Sequence, residues 1–506
     1  MTWPRVVFVG AVVALTIFAA PRLVAAHAWA GLGVTVAVTA TLAYVYLSPR
    51  RIAARFLVPG TLLLLAFQVY PVAYTIGTAF TNFGDGHRLT QAQAVAQLEA
   101  DSVVPRAGAP RYELSVATRG AQSDSPIVFF LTDANGKVQL GDAHGLTAVP
   151  DAEVTKDPVT GKVLTARGWT ILNAIQVNAR SAQLSSFTVP VPGGFIKSVG
   201  LSEAYVGEQT LRYDAATQTM TDARTGVTYR PRNGTFTATD GSGRVLPIGW
   251  KVGVGLRNFT SVLTDPAIRG PFLSVLAWTV AFSLLTVLAT FALGLGLAIA
   301  LDHPRLRGRR LYRSLLLLPY ALPTFISILV WQSLYNQDFG LINQLLGTDI
   351  NWLGGAWSAR GSVLLTNLWL GFPYMFLVCT GLLQSVPPEL KEAARVDGAS
   401  GLRVFRSVTL PLLLVGIAPL LIASFAYNFN NFNAIELLTG GGPFPPGDST
   451  AGSTDILISY TFRLAFGGQG AQYGLAAAIS LFIFMLVGLI SFAGFRRART
   501  LEEVYA

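Results

Sequence analysis

The chain has 506 residues, of which 52% are hydrophobic and only 13% charged, about half the charge of an ordinary soluble domain. The net charge of +10 is spread unevenly: long stretches are nearly free of charge while residues 85–270 carry an ordinary amount, the pattern of a membrane protein with a soluble module inserted. A single cysteine, Cys379, excludes a disulfide framework or cysteine zinc site within one chain, and the four histidines, His27, His87, His144 and His303, are scattered without a metal-ligand pair.

A bilayer core about 30 Å thick needs roughly 20 apolar residues in helical form. In chain order the runs are Val6–Ala20, Leu23–Leu47, Phe56–Phe80, Phe272–Ala300, Ser314–Gln337, Gly361–Gln384, Val408–Ile435 and Ala471–Phe495, which gives eight expected spans. The first run has two readings. Arg5, the apolar stretch and Ala26-His27-Ala28 resemble a cleaved signal peptide, whereas the length of the run and the span directly after it favour a retained helix.

Arginine sets the orientation. Arg50, Arg51 and Arg55 follow the second span, Arg305, Arg307, Arg309, Arg310 and Arg313 the fourth, Lys391, Arg395, Arg403 and Arg406 the sixth, and Arg496, Arg497 and Arg499 the eighth. These are alternate loops, and the positive-inside rule makes them cytoplasmic, with both termini inside and residues 81–271 outside.

The outer insert reads as mainly β. After a helical stretch at Gln91–Glu99, alternating runs at Tyr112–Thr118, Ile127–Leu131 and Lys137–Leu140 are separated by turn residues that include the hairpin signal Asn135-Gly136. Further strands are expected at Ser186–Val191, Thr210–Tyr213, Val227–Tyr229 and Thr235–Thr239, and the spacing suits a compact β module such as a sandwich. Prolines recur inside the spans, at Pro59, Pro71, Pro319, Pro323, Pro373, Pro411 and Pro419, where each removes a helix hydrogen bond.

Between the sixth and seventh spans, Pro387 and Pro388 suit a helix start, Glu389 and Glu392 its positive end, Ala393 and Ala394 its body, and Gly398 its cap. Such a helix has no face of its own to bury. It is either a docking element for another protein or an ordinary surface loop.

In the seventh span Ser424, Asn428 and Asn431 fall at spacings of four and three, sharing a face with Ile435 and bordered by Tyr427. Asparagine is costly in lipid, so the stripe should point into the bundle. There it serves either as a ligand site suited to sugar hydroxyls, with aromatic rings covering sugar faces, or as interhelical glue.

The string from Glu392 to Leu413 resembles the EAA signature of bacterial ABC-importer permeases, a long gapped pattern. That resemblance implies a coupling helix at 387–400 seated on a cytoplasmic ATPase. Glu392, Ala393, Ala394, Asp397 and Gly398 match the motif itself, and Phe405, Leu410 and Pro411 its downstream half.

Gly249–Thr264, Trp278–Ser283, Pro319–Ile328, Trp369–Leu383, Asn428–Phe432, Leu437–Pro443 and Tyr460–Ser480 are similar to the MalF-type larger membrane subunits of maltose/maltodextrin importers. The resemblance implies a mid-membrane sugar site at Leu370, Gly371, Tyr374, Ser424, Tyr427, Asn428 and Asn431. The position of Tyr427 is phenylalanine in the best-known member, and the outer insert matches poorly in sequence.

The expected fold is an all-α polytopic membrane protein of about eight transmembrane helices with a β-rich periplasmic domain inserted after the third. Residues 1–80 form the first three helices, 81–271 the outer domain and 272–506 the permease core. Implied partners are a smaller permease (MalG-like), two ATP-binding subunits (MalK-like) that bind ATP and Mg²⁺, and a periplasmic or lipid-anchored sugar-binding protein (MalE-like), in the bacterial inner membrane and without nucleic acid.

No G-x-x-x-x-G-K-[ST] loop occurs, so ATP hydrolysis is not expected of this chain. Trehalose or another glucoside is an alternative cargo. A membrane receptor with a sensory outer domain is the alternative of a different class, and the short inner loops leave it no output domain.

Overall fold

A computed structural model describes residues 3–106, 108–119, 125–302, 306–447, 449–467 and 470–505; His303 and Arg305 lie outside the described residues. Among these residues seven helices are long and apolar enough to cross a membrane. The first three are α1 (Trp3–Ala25), α2 (Trp29–Leu47) and α3 (Ile52–Ala79). Residues 1–77 form a compact unit of their own, in which the hydroxyls of Thr16 and Thr39 join α1 to α2 at 2.6 Å.

In the second unit, Thr78–Ala506, α4 (Pro266–Ala300) starts on an Asp265 side chain that accepts from Ala267 N–H, with Pro266 in the first turn, where its missing N–H is harmless. Next come α5 (Thr324–Leu334), α6 (Ala356–Ser385), the short α7 (Pro388–Val396), α8 (Gly401–Phe429), the short α9 (Phe432–Glu436) and α10 (Tyr473–Arg497).

Two expected spans come out differently. Ser314–Gln337 is not one helix. It is divided into Arg309–Leu316, Leu318–Ala321 and α5, with Leu322 in an extended conformation. The cause is local: Pro323 lacks an N–H, its ring opposes the carbonyl four residues back, and it drives Leu322 out of the helical region.

The seventh span, expected to reach Ile435, ends at Phe429. Asparagines 428, 430 and 431 compete for the backbone there. The Asn428 and Asn430 amides donate to the carbonyls of Ser424 and Ala426, and the Asn431 side chain caps α9 by accepting from Ala434 N–H. Short polar side chains near a helix end favour such turns.

Close helix approach organises the core. A Cβ placed on Gly294 of α4 would stand 2.7 Å from the Met375 Cβ and 2.7 Å from the Phe376 nitrogen of α6. Thr279, Ser283, Thr286 and Thr290 recur every three or four residues on α4 and are all buried. Thr279, Ser283 and Thr290 each return their hydroxyl to the carbonyl four residues earlier. Around and beyond that crossing Leu295, Met375, Cys379, Leu383, Leu413 and Ile417 tie α4, α6 and α8 into one apolar cluster.

The insert is β-rich over residues 103–238 and consists of two principal sheets with separate cores. The larger has nine strands, all its pairings antiparallel, centred on Ile127–Thr132 and Arg111–Thr118. Ile127–Thr132 is buried at every position, so both faces of this sheet need cover. One is covered by the short helices that carry Val177 and Leu184 and not by a second sheet, which departs from a simple sandwich.

The smaller sheet is a four-stranded meander, Leu211–Asp214 to Thr235–Ala238, packed on the helix Gln91–Asp101 through Leu98, Met220 and Phe236. That helix begins with a full capping box of Thr90 and Gln93. The expected Asn135-Gly136 hairpin is present, with Gly136 at φ +77° and the Asp133 carboxylate accepting from the N–H groups of Asn135 and Lys137.

The base of the insert is fastened to the chain ahead of α10. Asp85 accepts from Ala471 N–H and returns its own N–H to the Ala471 carbonyl, both at 2.7 Å. The Asn258 amide donates to the carbonyls of Ala79 and Thr81.

Candidate functional site

α4, α6, α8, α9 and the broken segment around Pro323 surround a cavity of about 700 Å³, within the range of small-molecule sites. All seven residues expected from the sequence line it. Leu370, Gly371 and Tyr374 come from α6, Ser424, Tyr427 and Asn428 from α8, and Asn431 from the α8–α9 turn. Asn431 arrives by a different route from the one expected. The helix stops before it, and Ile435 packs into the core with Trp278 and Phe282 without joining the lining.

Gly371 has a steric reason to lack a side chain, since a Cβ there would lie 2.9 Å from the Thr290 methyl across the α4–α6 contact. Tyr374 is 36% and Tyr427 66% exposed, so both rings are available to a ligand or a neighbouring subunit.

Other lining residues were not singled out in the sequence: Thr286 and Thr290 of α4, Asn367 of α6, and Tyr320 and Thr324 beside the helix break. The hydroxyl ladder of α4 would have found Thr286 and Thr290. Asn367 is central. Its Nδ2 donates to Asn428 Oδ1 at 2.7 Å and to Thr286 Oγ1 at 3.4 Å, and its Oδ1 accepts from Asn431 Nδ2 at 3.1 Å. Asn428 Nδ2 donates to the Ser424 carbonyl at 2.8 Å. The asparagines therefore do bind helices together, and part of their capacity is spent on doing so.

No Asp, Glu, Lys, Arg or His lines the cavity among the described residues; its polar groups are amides, aliphatic hydroxyls and phenols. Such a lining favours a neutral solute rich in hydroxyls.

The second candidate element is α7. None of its residues is buried, and Val396 is 87% exposed. Its C-terminal end is closed by Gly398 at φ +79°, with Gly398 N–H donating to the Arg395 carbonyl and Ala399 N–H to that of Ala394, the left-handed cap expected of glycine. Glu392 and Ala393 are exposed, and Ala394 is half-buried. Asp397 is exposed at the helix end. Phe405 and Leu410 pack against the apolar cluster of α4, α6 and α8, so the downstream half of the motif anchors the helix that the first half exposes.

Residues 291–499 match the family described as "Binding-protein-dependent transport system inner membrane component", and residues 62–144 that described as "N-terminal of TM subunit in PBP-dependent ABC transporters". The maltose/maltodextrin transport system permease protein MalF of Vibrio vulnificus (strain YJ016) is 39% identical over 482 residues, covering 91% of this chain and 88% of its own length. That of Escherichia coli (strain K12) is 38% identical over 472 residues, covering 90% and 89%.

A solved bacterial ABC transporter involved in the import of the acidic polysaccharide alginate aligns at 22% identity and TM-score 0.42, over 49% of this chain and 84% of that one. Similarity of this extent to MalF, running through both the membrane helices and the insert, means that the chain belongs to the MalF family of binding-protein-dependent inner-membrane permeases.

Proposed function

We propose that the chain forms the passage through which an ATP-driven importer moves maltose- or maltodextrin-type oligosaccharides. As a member of this family it is the permease subunit and not the ATPase. One observation carries the reading of its cargo: an uncharged cavity in which amides, hydroxyls and tyrosine rings converge between helices. Amides pair with sugar hydroxyls as donors and acceptors, and the tyrosines offer flat apolar faces.

In this reading the chain crosses the inner membrane eight times, with the divided segment from Arg309 to Leu334 as the fifth crossing and both termini cytoplasmic. Residues 81–271 face outward toward a MalE-like binding protein that delivers the sugar. A MalG-like permease completes the passage beside Tyr427. The helix at Glu392–Gly398 docks on one of two MalK-like subunits, which hold ATP and Mg²⁺; this chain needs no cofactor of its own. Closure of the ATPases drives transport only if the sugar binds the outward-facing and inward-facing arrangements with different free energies.

The test is sugar uptake by the reconstituted complex, counted per assembled complex. Tyr374→Ala removes a ring that is partly exposed, and uptake of maltose should fall about tenfold, the scale of one good aromatic contact. Assembly should be unchanged. Wild-type uptake from Tyr374→Ala and from Tyr427→Ala would leave the cavity without a sugar.

A further inference from the structure

We propose that a second cavity, at the start of α4 and α6, is a carboxylate site in which Arg360 receives an Asp or Glu side chain of the binding protein. The inference rests on the binding-protein-fed importer proposed above and adds a point of contact on the permease core.

This cavity has a volume of about 250 Å³, below the usual range of small-molecule sites and suited to a single side chain. Its walls include Ser274 and Trp278 of α4, Arg360 of α6, and Ser453 and Asp455 of the loop ahead of the helix Leu457–Phe466.

Arg360 is held there without being neutralised. Its Nε donates to the Ser453 carbonyl at 2.8 Å. Its guanidinium carbon lies 4.6 Å from the centre of the Trp278 ring and 5.1 Å from that of Trp357. Trp278 is fixed in turn, its Nε1 donating to the Thr454 carbonyl at 3.2 Å. These contacts orient the guanidinium, and among the described residues Nη1 and Nη2 meet no acceptor.

The carboxylate in the same wall is already spent. Asp455 is fully buried, pairs with Arg463 at 2.8 Å, and accepts from Ser459 Oγ at 2.8 Å and from Gly452 N–H at 2.7 Å. Arg360 is therefore an uncompensated cation in a half-enclosed pocket. Its planar fork matches a carboxylate through two parallel hydrogen bonds.

Position selects the source of that carboxylate. Arg360, Asn367 and Gly371 follow one another at spacings of seven and four, so they share a face of α6. Asn367 and Gly371 line the large cavity, which turns Arg360 toward the passage and away from lipid. Val363, one turn on from Arg360, is buried with Trp278, Ile435, Leu438 and Ile456, so apolar packing lies between the two cavities along α6. A guest at Arg360 sits above that packing, on the side from which the solute is delivered.

The experiment is maltose uptake by proteoliposomes of the full complex, titrated with the maltose-loaded MalE-like protein. Arg360→Met should raise the half-maximal concentration of that protein about tenfold, the scale of a lost charge-assisted hydrogen bond, with the rate at saturation within twofold of wild type. Added salt should raise the wild-type value more steeply than that of the variant. Arg360→Glu should be worse still, and one Asp→Arg or Glu→Arg change in the binding protein should restore it.

An unchanged half-maximal concentration in Arg360→Met would overturn the proposal, as would failure of every such reversal to rescue Arg360→Glu. An equal shift from Asp448→Asn, a residue of the same loop outside the described residues, would give the carboxylate to this chain. A defect confined to liposomes that contain anionic lipid would give the anion to the bilayer; either result also ends the proposal. Wild-type uptake that does not respond to the binding protein would instead remove the reading beneath it. Should Arg360→Met fail to assemble, Arg360→Lys keeps the charge without the fork, and a shift of about threefold or none decides in the same way.

Discussion

Gly398 shows how much a single backbone conformation can carry. Its φ is +79°, and a Cβ would meet nothing within 4 Å, so a substitution there has no clash to relieve and only conformation to lose. Alanine in the left-handed region is disfavoured by roughly 1–2 kcal/mol, while asparagine tolerates it better. Gly398→Ala should fray the end of α7 and lower maltose uptake more than ATP hydrolysis, with Gly398→Asn falling between it and the wild type. Equal defects in the two variants, read from uptake and phosphate release on one preparation, would show that the left-handed turn is not what matters. Gly398 was legible in the sequence because cap glycines follow alanine-rich helices. Asn428 and Asn431 were legible because, with Ser424, they fall at helical spacing within an apolar run. Asn367 was not, since one amide in a span has no pattern to belong to, and its partners come from α4 and α8.

At the scale of elements, two short-range rules that the sequence states plainly outweigh its apolar periodicity. Pro319 and Pro323 divide what reads as one span, and the asparagines at 428–431 turn the chain out of α8. Both breaks open onto the cavity, which places backbone bends where the lining converges. Discontinuous helices are tolerated in membranes where they line a cavity.

The α4–α6 contact yields a comparison of opposite signs. A Cβ on Gly294 collides with the backbone and side chain of α6, whereas one on Gly296, a turn fragment away, meets nothing within 4 Å. Gly294→Ala should destabilise by about 1–3 kcal/mol through overpacking. Gly296→Ala should stabilise by up to about 1 kcal/mol, through helix propensity alone. Thermal midpoints of the detergent-solubilised protein will rank them Gly296→Ala, wild type, Gly294→Ala. A midpoint for Gly294→Ala at or above that of the wild type would mean the helices can part without cost. The strands of the insert were readable where apolar and polar residues alternate, as in Tyr112–Thr118. Glu203–Gln209 and Thr219–Asp222 were not, because their faces are decided by neighbouring strands distant in sequence.

At the scale of the whole molecule, Asp85 fastens the insert to Ala471, just ahead of α10, while Asn258 ties the two ends of the insert together through the carbonyls of Ala79 and Thr81. The Asp85–Ala471 pair, one side-chain and one main-chain hydrogen bond, gives load on the outer domain a route to the last membrane helix. The side of the membrane on which that domain lies rests on arginine distribution alone, and the chain supplies its own means of checking it. Cys379 is its single cysteine and is fully buried between α4, α6 and α8. Val159, at the tip of the turn that follows Asp157, is 91% exposed, and the Asp157 carboxylate holds that turn by accepting from Val159 and Thr160 N–H. Val159→Cys changes neither hydrogen bond, since both donors are backbone groups. In intact spheroplasts a membrane-impermeant maleimide should label Val159→Cys and leave the wild type unlabelled, while denaturation should make both react through Cys379. Labelling of Val159→Cys only after lysis would put residues 81–271 in the cytoplasm. It would invert every loop assigned from Arg50 to Arg499, and α7 could then no longer reach an ATPase on the inner side.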